Sequence, residues 1–310
     1  MNTQSNAVPD SSADSQVTAP AAMAATRPMY WSVRRELWEN RSIYMTPLAV
    51  AALFLLGFLI NIVHLPGRMR AASALDPTKL HKLIEEPYHF ASLLLMGTTF
   101  IVAVFYCLDA LYGERRDRSV LFWKSLPVSD VTTVLSKATI PLVILPLLTF
   151  AITVLTQWIM YLLSNAVLLG SGVPVATLRS HLPLWQMWLM LLYHLVGIHG
   201  FWYAPIYGWL LLVSAWARRA PFLWAALPPF AIGILEKITF NTSHFAALLG
   251  YRFMGGPEGA EYVPGSMSMD PLSQLSPGHF LTSSGLWFGF AVAAAFLAAA
   301  VRLRRYRDPI

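Results

Sequence analysis

Long apolar runs separated by shorter polar stretches set the pattern of this chain. The clearest runs cover about Ile43 to Val63, Phe90 to Leu111, Thr139 to Leu163, Pro221 to Thr239 and Leu286 to Val301. A transmembrane helix needs roughly 20 predominantly apolar residues to cross a hydrocarbon core of about 30 Å. One further run, Trp185 to Trp216, has 32 residues. As a straight helix it would measure roughly 48 Å at about 1.5 Å per residue, too long for one upright crossing and too short for two with a turn. The expected solution is one kinked span, bent near Gly200 and Pro205. The fifth run is expected to be interrupted at Pro228-Pro229. The pattern therefore predicts an all-α polytopic membrane protein with six transmembrane helices.

Ahead of the first run, Met29 to Arg41 (MYWSVRRELWENR) has helical periodicity. Tyr30, Trp31, Val33, Leu37 and Trp38 fall toward one side, and Ser32, Arg35, Glu36, Glu39 and Asn40 largely toward the other. This predicts an N-terminal helix lying in the membrane interface, with tryptophans at headgroup depth. Residues 1–28 are rich in Ser, Ala, Thr and Pro and contain no aromatic residue. They are expected to form a disordered cytoplasmic tail. They also lack the basic start and apolar core of a secretory signal. Residues 29–310 are then a single membrane domain. Two polar connections are expected outside, His64 to Tyr88 and the Gly- and Pro-containing stretch Asn241 to Ser283. Val131 to Ala138 is read as the start of a helix capped by Ser129 or Asp130.

Composition agrees with a membrane setting. The 310 residues are 56% hydrophobic and 12% charged, against about 45–50% and about 25% in soluble domains. The net charge of +6 points to topology instead of nucleic acid, because basic residues are retained on the cytoplasmic side. With both termini inside, the inner segments hold four Lys or Arg residues before the first span and five around the second loop. Two more lie between the fourth and fifth spans and four in the tail, fifteen of the 22 in all. That bias predicts both ends in the cytoplasm; the expected location is a bacterial inner membrane. Cys107 is the sole cysteine, so a disulfide framework is excluded.

The loop YGERRDRSVLFWKSLPVSD, residues 112–130, carries seven ionisable groups in nineteen residues together with Leu121, Phe122, Trp123 and Leu126. It is too charged for hydrocarbon and too apolar for a plain solvated connector. A Glu114–Arg118 pair at i,i+4 favours a helix there. Arg115, Arg116 and Lys124 offer cations, and the aromatic residues offer anchors of the kind that dominate interface energies. Pro127 would end the helix. The chain has no G-x-x-x-x-G-K-[ST] phosphate loop, H-E-x-x-H or G-x-S-x-G, so it shows no means of hydrolysing ATP itself.

Glu114-Arg115-Arg116, Ser119-Val120-Leu121, Ser125-Leu126-Pro127-Val128-Ser129 and Lys137 at the foot of the third span resemble the first-loop signature of the type-2 permeases of ATP-binding-cassette (ABC) exporters. The resemblance covers residues 29–310. It implies that the loop forms a cytoplasmic coupling helix docked in a groove of a separate ABC ATPase, with two permeases and two ATPases making the working unit. The coupling residues would be Glu114, Arg115, Arg116, Arg118, Leu121, Phe122, Trp123, Lys124, Leu126 and Pro127. ATP and Mg would be bound by the partner, with no cofactor in this chain. The resemblance also implies short helices dipping back into the outer leaflet before the last span, where Phe245, Leu248, Tyr251 and Phe253 are available.

His194, His199 and Tyr203 in the fourth segment, and Glu236 near the end of the fifth, are polar groups at membrane depth. They either line a path or serve as packing and hydrogen-bonding partners between helices. No metal site is expected from them. An ion-coupled secondary carrier would show inverted repeats, which are not found. A membrane enzyme would need a nucleophile or metal set, and a non-transporting anchor or sensor subunit for an ATPase is a further alternative.

Overall fold

The computed structural model describes residues 27–75, 77–119, 122, 128–172, 174–254 and 277–306, without the side chains of residues 72–78. Among the described residues the fold is helical throughout, with no strand. In chain order the helices are α1 (Pro28–Glu39), α2 (Ser42–Ile62), α3 (Leu65–Leu75), α4 (Pro77–Ala110) and the short α5 (Tyr112–Arg116). Then come α6 (Asp130–Ser171), α7 (Val175–His181) and α8 (Leu184–His194 continuing as Leu195–Trp202). The chain ends with α9 (Ala204–Trp216), α10 (Pro221–Phe240), α11 (His244–Phe253), α12 (Pro277–Thr282) and α13 (Ser284–Tyr306). Among the described residues five helices are long and apolar enough to cross a membrane, or six when the bent pair α8–α9 counts as one span. The chain is an all-α polytopic membrane protein.

Several boundaries correct the hydropathy reading. His64 to Tyr88 is largely helical: it forms α3 and the first turns of α4. Leu80, Ile84, Tyr88 and Ala91 recur at helical spacing and bury against Met69, Met160, Leu168 and Leu178. The polar residues between them end a hydropathy window but not an amphipathic helix. For the same reason α6 runs on to Ser171. Pro228 and Pro229 sit inside a continuous α10.

The long run bends as expected. α8 and α9 meet at 46°, across Tyr203. Pro205 lies in the first turn of α9, where a missing N–H costs nothing. The bend is preceded by a π-helical stretch, Leu195–Trp202, which faces a second one in α6, Ile140–Ile144. Pro146 has no N–H to offer the Leu142 carbonyl, and Gly200 lets the α8 backbone approach that same carbonyl. A Cβ on Gly200 would lie 2.9 Å from it.

The two largest apolar cores among the described residues lie along the bundle. One gathers Val102, Ala103, Tyr106, Cys107, Leu108, Ile140, Leu145, Trp202, Tyr207 and Leu211; the other gathers Leu80, Ile84, Tyr88 and Ala91 with Met160 and Leu168. Both long helices, α4 and α6, contribute to each core in opposite chain order, so they run antiparallel and the cores occupy opposite ends. α9 and α13 pack along their lengths, whereas α10 buries no residue.

Candidate functional site

The residues singled out in the 112–130 loop rise from a buried charged cluster at one end of the bundle. Glu36, in the middle of α1, is 0% exposed. Its carboxylate accepts hydrogen bonds from Lys137 Nζ at 2.8 Å, Tyr106 OH at 2.8 Å and Arg35 Nη2 at 2.7 Å. Glu114 on α5 is also buried and pairs with Lys137, Arg35 and Arg304, each at 3.1 Å. Arg304 at the end of α13 reaches Asp130 at the start of α6, 2.8 Å away. Three carboxylates thus meet Arg35, Lys137 and Arg304, with Glu39 at the rim 3.6 Å from Arg35. Burial alone would raise the Glu36 carboxyl, but Lys137 and Arg35 outweigh it and hold the group below the usual carboxylate range. Burial likewise opposes the charge on Arg35, and Glu36 more than restores it.

Local sequence explains why each group arrives there. Val33 and Leu37 pack against the core, and Glu36 lies between them on the same face. Its inward direction corrects the expected polar side of α1, and the exposure of Tyr30, Trp31 and Trp38 shows that the apolar residues of α1 divide between two faces. Lys137 shares a face with the buried Val134 and Ala138, and Ser129 caps their helix by accepting from the Thr132 N–H. Arg115 turns back to the end of α9, donating to the carbonyls of Ser214, at 3.1 Å, and Ala217. A cation at a helix C-terminus satisfies both its unpaired carbonyls and its dipole. The Ser214 hydroxyl accepts from the backbone N–H groups of Leu111 and Tyr112.

Glu114 and Arg115 are therefore buried and engaged inside the fold. The Glu114–Arg118 pairing does not form: α5 stops at Arg116, and Arg118 stands beyond it at φ 58. Arg116 lies outside, bonded to Asp117 at 2.9 Å and 3.9 Å from Asp109. That hydrogen bond holds the Asp117 carboxyl down. Phe122 is 60% exposed. Leu121, Trp123, Lys124, Leu126 and Pro127 lie outside the described residues.

The membrane-depth candidates do not form one site. His194 Nδ1 bonds the Met190 carbonyl one turn back. His199 is buried, with Nδ1 unbonded among the described residues and its ring 5.3 Å from that of Tyr203. The Tyr203 hydroxyl donates to Phe253 O at 2.9 Å, so it ties the bend to α11. Glu236 caps α11, accepting from the Thr242 hydroxyl and from the N–H groups of His244 and Phe245 at 2.7–2.8 Å. Its role is to start a helix. Arg252 completes the tie, lying 4.1 Å over the Trp202 ring and donating to Trp202 O and Gly285 O. Among the described residues no group of three or more His, Cys, Asp or Glu is placed to hold a metal ion.

Comparison with known proteins finds no matching family model, no matching curated protein and no matching solved structure.

Sequence reasoning found Glu114, Arg115 and Lys137 but missed Glu36, Arg35, Tyr106, Asp130 and Arg304 as parts of the same cluster. A charge in apolar register, Lys137 beside Val134 and Ala138 or Arg304 four residues past Ala300, was the available signal. The partners lie 101 and 190 positions apart, so no local pattern could have paired them.

Proposed function

We propose that this chain is the membrane-spanning permease subunit of an ATP-driven ABC exporter. It works as a dimer in a bacterial inner membrane, with both termini cytoplasmic, and docks a separate ATPase through residues 112–130. ATP and Mg belong to the ATPase; this chain performs no covalent chemistry. The observation that carries the reading is the buried charged cluster at the base of that loop. It joins both stems of the loop, α5 and the start of α6, to α1 and α13. A push on the loop is then delivered to several helices as one unit instead of being lost in a flexible hinge. The π-helical stretches facing each other at Leu142 and Gly200, and the 46° bend beyond them, are places where the spans can rock in response. In this reading Glu114 and Arg115 position the loop, and Phe122, Arg116 and the apolar residues around Trp123 make the contact.

Replacing Phe122 and Trp123 together by Ala tests it. Truncating a buried interface anchor costs about 2 kcal/mol or more, roughly thirtyfold in affinity at about 1.4 kcal/mol per factor of ten. The expected result is a folded, inserted chain that no longer co-purifies with its ATPase. Unchanged co-purification and stimulation of ATP hydrolysis would refute the docking role. An ATPase that binds but is stimulated by no substrate would favour a non-transporting anchor subunit.

A further inference from the structure

α1 presents an exposed stripe that the cluster beneath it does not use. Tyr30, Trp31, Arg34 and Trp38 recur at spacings of one, three and four residues, which places them on one helical face. Glu36 faces the opposite way. Trp31 and Trp38 are 57% and 66% exposed, yet they are ordered around one cation: the Arg34 guanidinium lies 5.2 Å from the Trp31 ring centroid and 4.6 Å from that of Trp38. Exposed Arg27 and Arg41 flank the stripe at the two ends of the helix. No carboxylate balances these three arginines among the described residues. Glu36 is buried in the cluster, and Glu39 lies beside Arg35 at 3.6 Å.

We infer that this stripe binds the surface of the bilayer through anionic phospholipid headgroups, with Arg34 as the phosphate-binding group. Only Asn40 and Arg41 separate α1 from α2, so Trp38 is held within a turn or so of the point where α2 enters the membrane. Tryptophan and tyrosine favour that depth because the ring is apolar and its polar edge is wet. Stacking between two indoles restricts Arg34 while its N–H edges stay available to a phosphate. The inner face of α1 is fixed by the ion pairs of Glu36, so the stripe is presented in one orientation and little ordering is needed on contact. Three positive charges and no negative one make an anionic surface the complementary partner. The inference requires only that α2 crosses a bilayer, and it stands or falls separately from the exporter reading.

The test uses the full chain reconstituted in phosphatidylcholine vesicles containing an equal mole fraction of either 6,7-dibromo-phosphatidylglycerol or 6,7-dibromo-phosphatidylcholine. The fluorescence of Trp31 and Trp38 is isolated by subtracting a Trp31→Phe/Trp38→Phe variant. Quenching should report enrichment of phosphatidylglycerol beside these residues. That enrichment should fall about fivefold in Arg34→Gln, the effect of one surface cation near an anionic leaflet, and less in Arg34→Lys, which keeps the charge without the planar stack. In the unaltered protein it should also fade in 1 M salt, a readout that needs no variant to fold. Equal quenching by the two lipids would overturn headgroup recognition. Quenching by neither would take the stripe off the membrane and make it a protein-docking face.

Discussion

The two ends of the bundle are held together by different forces. At one end, Glu36, Glu114, Asp130, Arg35, Lys137 and Arg304 lock four segments through buried and half-buried ion pairs. At the other, Met69, Leu80, Ile84, Met160 and Leu168 pack as an apolar core beside neutral hydrogen-bonded residues, Gln157 foremost. Its amide donates to Tyr88 O and Ser92 Oγ and accepts from Trp188 Nε1. Apolar contacts are tolerant of small sliding, since similar side chains replace one another along a helix face. A buried carboxylate is not tolerant, because moving it off its cation leaves a bare charge in a low-dielectric site. The charged end therefore behaves as a rigid foot, and the apolar end can adjust.

On that contrast the largest single effect belongs to Lys137, which is 2% exposed. Lys137→Met removes the cation shared by Glu36 and Glu114 and should cost about 3–5 kcal/mol, the usual penalty for breaking a buried pair from one side. Thermal unfolding in detergent is the measurement, with loss of expression as its extreme form.

The next effect is pH-dependent. The Glu36 carboxyl lies below its ordinary value of 4.5 in the folded chain, so the unfolded chain takes up its proton first. The stability Glu36 contributes is fully present above about pH 4.5 and is lost as pH falls through the lowered folded value. Glu36→Gln should be less stable than the parent by about 2 kcal/mol near neutrality, since hydrogen bonds to charged groups contribute about 1.5–3 kcal/mol. The gap should close in acid. A gap that is the same at pH 7 and pH 3 would remove Glu36 from the account. At the apolar end, Gln157→Leu should cost only about 1 kcal/mol, with a melting curve whose acid limb parallels that of the parent. A loss as large as that of Lys137→Met would erase the distinction between the two ends.

The spans were legible in the sequence because hydrocarbon imposes a length and a composition that can be read directly. The bend beyond Gly200 was legible for the same reason: a 32-residue run fits no simple crossing. The start of α4 was not, because Lys82, Glu85 and Glu86 lie between its buried positions and break a hydropathy window while leaving the helical period intact. Within the site, Glu114, Arg115 and Lys137 stood out as charges beside spans, but their direction did not. Whether a charge at a helix end faces water or the fold depends on a partner brought in from elsewhere. Glu36 finds Tyr106 and Lys137, and Glu114 finds Arg304, only after four segments have assembled. Tyr30, Trp31, Val33, Leu37 and Trp38 were read as one face of α1, but the core claims Val33 and Leu37, and what remains exposed is the stripe around Arg34.

The central claim is that the foot is a coupled electrostatic unit, and a double-mutant cycle on Glu36→Gln and Lys137→Met measures that coupling most directly. The account predicts that the two substitutions together cost clearly less than the sum of their separate costs, with an interaction energy of about 2 kcal/mol. Additivity within about 0.5 kcal/mol, the behaviour of independent sites, would contradict it.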